Sequence, residues 1–130
     1  MGDRGIDFVG RIDLAHGFGS AAVVVLGQAK CESPAQATGG IHIARTVARL
    51  RRGWVGAYVT TSFFSTQVQE EVYEDRYPIV LINGMRLAQE VTALAMERGN
   101  PTVISLLDEI DATYEGRLQD RDPEDVLAIL

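Results

Sequence analysis

Three polar residues in the first quarter of the chain, Asp7, Gln28 and Lys30, are of the types that together manage a metal ion and a phosphate. A carboxylate and an amide oxygen are hard ligands suited to Mg²⁺, an ion that keeps several waters and pairs with substrate phosphate. An ammonium beside them can orient a water or stabilise charge developing on phosphate. The set outlines metal-assisted phosphodiester hydrolysis. Lys30 is the only lysine, the other eleven basic residues being arginines. Codon bias explains a lone lysine equally well, and solvated polar residues at a hairpin end are the plain alternative for the group.

The elements that must position these residues are legible. Residues 5–14 read as a strand, and Ala21 to Leu26, small and β-branched, as a buried one that runs on into Gln28-Ala29-Lys30. Side chains two apart on a strand share a face, so Gln28 and Lys30 point the same way. The segment 15–20, Ala-His-Gly-Phe-Gly-Ser, has the glycines of a hairpin loop. A hairpin centred on residues 17 and 18 sets Asp7 opposite Gln28, close enough for the three side chains to cluster at its open end. A one-residue slip breaks the cluster.

The run Gly2-Asp3-Arg4-Gly5-Ile6-Asp7, the hairpin and Gln28-Ala29-Lys30 together resemble the catalytic core of the PD-(D/E)xK nucleases, specifically the Mrr-type restriction endonuclease domain. Downstream, Arg51-Arg52-Gly53, Tyr58-Val59-Thr60-Thr61, Gln69-Glu70-Glu71-Val72 and the segment from Asp75 to Gly84 are similar to the nuclease half of modification-dependent restriction enzymes, which cut near methylated cytosine. The likeness spans roughly residues 2–92. It implies a restriction-endonuclease-like α/β fold, a mixed sheet of hairpin plus parallel strands flanked by helices. It further implies a Mg²⁺-dependent endonuclease acting on double-stranded DNA, with Asp7 the metal aspartate, Gln28 the second ligand, Lys30 the catalytic lysine and the Ala29 backbone carbonyl completing the metal shell. Arg4 departs from the family's usual glycine. The family core opens with a helix and a strand ahead of the aspartate, whereas Met1 here lies almost on the motif, so those two elements are expected to be missing. The alternative is an inactive or partner-completed module of the same fold that docks DNA or assembles subunits, as a homo-oligomer or with a separate recognition domain.

At 130 residues, 46% of them hydrophobic, the chain has the material for one globular core. No stretch has the length of a membrane span, no secretory signal is visible, and the single cysteine, Cys31, fits a reducing cytoplasm. The formal charge of −6 is unusual for a DNA-binding protein. Its distribution is uneven: residues 1–100 carry ten acids and ten bases, and residues 101–130 eight acids and two arginines. The expected organisation is a nuclease-like core over 1–100 followed by an acidic helical extension over 101–130.

Ile41 to Arg52 reads as a helix with Ile43, Val47 and Leu50 inward. On it His42, Arg45, Arg49 and Arg52 fall in one row, either tracking a phosphate backbone or simply solvated. Trp54 to Thr61 reads as a strand in which Gly56 allows close packing or a bulge. Thr60 and Thr61 at its end either donate to phosphate or cap the next segment. Phe63 and Phe64 read as core. Thr66 to Gln69 matches a capping box opening a helix to about Arg76. Ile79 to Ile82, apolar throughout, reads as a central parallel strand. Helices are expected from Leu87 to Arg98, from Asn100-Pro101 onward, and over a short last segment from Asp122. The glycine-rich turn at 17–20 is a weak phosphate-loop candidate, because no phosphate-loop lysine comes after it.

Overall fold

The computed structural model describes residues 7–16, 19–114 and 127. The hairpin strands are β1, Phe8–His16, and β2, Gly19–Lys30. They pair antiparallel from His16↔Gly19 to Phe8↔Gly27, so the hairpin is centred where the glycines place it. After a short strand β3, Ala37–Thr38, comes helix α1, Gly40–Val47. Strand β4, Val55–Thr60, lies parallel to β2, with Gln28 beside Tyr58 and Lys30 beside Thr60. The two-residue strand β5, Phe63–Phe64, pairs parallel with β3. Helix α2, Thr66–Glu74, leads to β6, Ile79–Ile82, parallel to β4, and then to α3, Gly84–Glu97, and α4, Val103–Tyr114. The main sheet has the order β1-β2-β4-β6. Among the described residues this is a mixed sheet of one hairpin and parallel strands flanked by four helices, the restriction-endonuclease-like α/β arrangement expected.

Burial follows strand period. On β4 the residues alternate half-buried and buried, and Tyr58 and Thr60 point inward. Tyr58 anchors a core with Ile43 of α1, Phe64, Val68 of α2 and Ile79. Its ring meets Phe64 edge-on at 6.0 Å between centroids, a favoured aromatic geometry. Gly56 does permit the close approach expected of it: an added Cβ would lie 3.1 Å from Ile79 Cγ1.

Several boundaries differ from expectation. Helix α1 stops at Val47, and the amides of Arg49 and Leu50 bond three residues back, to Thr46 and Val47. The chain must reverse here to start β4, and Leu50 turns toward Gly56, its Cδ1 3.4 Å from where a Cβ would sit. Only His42 and Arg45 of the arginine row therefore share a helix. Strand β6 is parallel but at the sheet edge rather than central, with Val80 53% exposed. Phe64 is core, but Phe63 points out. The cap of α2 is Ser65, whose hydroxyl accepts from the Val68 amide, not Thr66. Helix α3 begins earlier than expected, capped by Asn83 accepting from the Arg86 amide at 2.8 Å. In α4, Leu106 is fully buried and the helix contacts α3. The last expected helix lies outside the described residues apart from Leu127.

Gly84 opens α3 with its amide bonded to the Ser62 carbonyl at 2.9 Å, and a Cβ there would run into the Thr61 carbonyl oxygen. Gly84→Ala is expected to destabilise the fold by about 1–3 kcal/mol, read as a lower urea midpoint with unchanged slope. An unchanged midpoint would show that this approach is looser than described.

Candidate active site

Strand β1 runs antiparallel to β2, so its start lies where β2 ends, which puts Asp7 at the same edge of the sheet as Gln28 and Lys30. That edge is the carboxyl end of the parallel pair β2 and β4, where open α/β sheets place ligand sites. The last ladder pair is Phe8↔Gly27. Asp7 sits one residue beyond it and departs from strict register. Its amide donates to the Gly27 carbonyl at 2.8 Å, and its Oδ2 accepts from the Ala29 amide at 2.8 Å. A carboxylate thus takes the place of a backbone carbonyl at the end of the ladder. It bonds the residue between Gln28 and Lys30 rather than simply facing Gln28.

Gln28 and Lys30 both turn toward α1. Thr46 Oγ1 lies 2.9 Å from Gln28 Oε1, and Lys30 Nζ 2.6 Å from His42 Nε2. A two-residue step on a strand covers about 6.6 Å and a four-residue step on a helix about 6 Å. Strand positions 28 and 30 can therefore meet helix positions 46 and 42 rung by rung. An ammonium only donates, so His42 Nε2 must accept and its proton belongs on Nδ1. Burial, then the charges of Lys30 and Arg45, lower the His42 pKa against the pull of Glu32, which favours this neutral ring.

Lys30 has a second partner two residues along the chain. Its Nζ lies 3.1 Å from Glu32 Oε1, with the Glu32 side chain only 9% exposed. Burial pushes the Glu32 carboxyl up, but Lys30 and the hydroxyls of Thr38 and Ser62 outweigh it and hold the group below the usual carboxylate value. Thr38 Oγ1 donates to Glu32 Oε2 at 3.0 Å and lies 3.0 Å from Thr60 Oγ1 and 3.3 Å from Ser62 Oγ. Thr61 Oγ1 accepts from the Glu32 amide at 2.8 Å and donates to its carbonyl at 2.7 Å. The i+2 spacing of Glu32 from Lys30 was the available sequence signal; nothing local pointed to Thr38 or Thr46.

The hydroxyls of Thr60 and Thr61 thus both bond groups of the protein itself. Thr60 is 1% exposed, whereas Thr61 is exposed with its hydroxyl engaged by the Glu32 backbone. His42 likewise faces Lys30 rather than joining an outward basic row. Arg45, Arg49 and Arg52 are exposed. Arg51 stacks on the Trp54 ring at 5.4 Å. Behind the site, burial and then the charges of Glu32 and Asp7 push the Tyr58 hydroxyl up to about 12, so it stays neutral.

The chain belongs to the restriction endonuclease family whose Mrr-type catalytic-domain model matches residues 1–91. Among solved structures it is similar to the MspJI restriction endonuclease in complex with a 27-mer oligonucleotide. The TM-score is 0.87 and the identity 44%, over 98% of this chain and 29% of that one. It is also similar to the DNA modification-dependent restriction endonuclease AspBHI, with a TM-score of 0.66 and 26% identity over 81% of this chain and 27% of that one. The chain therefore spans less than a third of either neighbour. The MspJI likeness extends past the family model into α4. No curated protein matches the sequence. Among the described residues no helix is long and apolar enough to cross a membrane.

Proposed function

We propose that this chain is the cutting domain of a DNA restriction enzyme, hydrolysing phosphodiester bonds with Mg²⁺ held by Asp7, Gln28 and the Ala29 carbonyl. What supports the reading most is the bond between the Asp7 carboxylate and the Ala29 amide, which sets Asp7 beside the strand end that carries Gln28 and Lys30. The MspJI neighbour, solved with an oligonucleotide, supports DNA as the substrate.

The donors present fit such an ion. Asp7 has one oxygen on the Ala29 amide, and a carboxylate has about four lone-pair sites. Gln28 Oε1 takes one hydrogen bond from Thr46, and an amide oxygen accepts two. A strand residue aims its N–H and C=O at the same neighbouring strand, so the Ala29 carbonyl faces the Asp7 side. Among the described residues no three His, Cys, Asp or Glu side chains group as a metal cage. One carboxylate, one amide and one carbonyl instead suit an ion that keeps several waters. When bound, the ion would activate a water and neutralise phosphate charge. The protein's own part is to orient the phosphate and stabilise charge on it through Lys30. Arg45, Arg49 and Arg52 supply a loose cationic patch for the DNA backbone, and its weak affinity would be supplemented by the rest of a longer enzyme.

The test is conversion of supercoiled to nicked plasmid at low salt with Mg²⁺, with chelator, and with Ca²⁺ in its place. Cutting in Mg²⁺ that stops in chelator is expected; cutting that persists in chelator would remove the metal from the mechanism. A second reading, a module that assembles with a partner and does not cut, is favoured by β1. That edge strand exposes Phe8, Val9, Ile12 and Leu14. It predicts self-association in light scattering and intact DNA in Mg²⁺.

A further inference from the structure

The four polar residues that are buried among the described residues are Thr38, Thr46, Thr60 and Ser62. All four lie behind the candidate site. Thr46 holds Gln28, Thr38 and Ser62 approach the Glu32 carboxylate, and Thr60 bonds both Thr38 and Ser62. Buried hydroxyls stabilise a fold poorly compared with apolar groups unless each is hydrogen-bonded. A cluster of them around one carboxylate fixes that carboxylate. The small β3–β5 ladder, Ala37↔Phe63 and Thr38↔Phe64, carries Thr38 to this point.

We propose that Glu32 is the positioning residue of the nuclease site, a carboxylate held by Thr38 and Ser62 on a backbone tied by Thr61, that, with His42, holds the Lys30 ammonium toward the scissile phosphate. This rests on the nuclease reading above. Lysine is a point charge on a flexible four-carbon stem, and unheld it samples many rotamers. An ammonium has three donors. Glu32 Oε1 at 3.1 Å and His42 Nε2 at 2.6 Å occupy two, and one remains for a phosphate oxygen or the attacking water. A lysine merely paired at the surface would not need a partner whose side chain is 9% exposed and whose backbone amide and carbonyl are both tied to one threonine.

Lys30 is the only lysine of the chain, so selective ¹³C,¹⁵N-lysine labelling reports on this one side chain. In the full chain, Glu32→Gln keeps the shape and an acceptor for Thr38 but removes the charge. It is expected to slow single-turnover cleavage by about 10–100-fold, with DNA affinity within about twofold of wild type. The Lys30 Cε–Hε signal should move toward that of a free lysine. Thr38→Val should shift rate and signal the same way by less, and serves if Glu32→Gln fails to fold. Wild-type rate together with an unchanged lysine signal in these variants would overturn the proposal. A lysine signal that responds in a chain whose wild type cuts no DNA would instead uphold the positioning and defeat the nuclease reading.

Discussion

Lys30→Ala is expected to cut the rate of Mg²⁺-dependent DNA cleavage by about 100–1,000-fold, the loss typical of removing one preorganised charge aimed at a reacting centre. DNA affinity should change little, because the exposed cations for the backbone are arginines elsewhere. Lys30→Arg should not restore the rate: a planar guanidinium cannot occupy the point between His42 Nε2 and Glu32 Oε1 in the manner of an ammonium. Single-turnover nicking kinetics check both variants, and a Lys30→Ala protein cutting at wild-type speed would take the residue out of the mechanism. Linkage supplies a second signature. Burial alone would raise the Glu32 carboxyl, and it is Lys30 with the neighbouring hydroxyls that holds it below the usual value. A depressed carboxylate contributes stability above its unfolded pKa and loses it as pH falls through its folded pKa. Without Lys30 the folded pKa rises and this contribution is lost, so the stability gap between wild type and Lys30→Ala in urea unfolding should be largest near neutral pH and close as pH falls through the wild-type Glu32 pKa.

Asp7→Asn should lower cleavage by at least about 100-fold and weaken Mg²⁺ binding, with melting temperature close to wild type. The fold should survive because the asparagine side-chain oxygen can still accept the Ala29 amide, as Asp7 Oδ2 does at 2.8 Å. Only the charge is lost, and the charge is what a divalent ion needs from this group. Calorimetric Mg²⁺ titration and the nicking assay read the two effects separately. If the variant bound the ion and cut normally, the candidate metal position would be wrong, whatever the merit of Lys30. Asp7→Ala is the less informative change, because it also releases the Ala29 amide and frays the end of the hairpin.

Both variants concern residues that stand out in the sequence by type and spacing. The glycines at 17 and 19 and the run from Ala21 to Leu26 were enough to centre the hairpin, because strand period and turn composition are local properties. Gln28 and Lys30 fell on one face by the same rule. Other readings failed where tertiary packing decides. The 41–52 segment has a helical pattern throughout, yet it breaks at Val47 because the chain must return to lay β4 beside β2. Ile79 to Ile82 looks central by composition and is an edge strand, since apolar content reports burial and not strand order. Thr60 and Thr61 carry hydroxyls at a strand end, but Glu32, which takes up Thr61 and Ser62, lies 29 and 30 residues from them in the chain.

The order of residues alone determined which groups are the candidates for the chemistry and that they share an edge: one acid, one amide and one lysine on two segments joined by a tight turn. Tertiary structure decided how the lysine is held. Glu32, Thr38, His42 and Ser62 come together only when β3 and β5 pair and α1 lies across β2. Turn and strand periodicities act over a few residues and can be read from spacing. A hydrogen-bonded cage drawn from four segments depends on packing distances that no local pattern encodes.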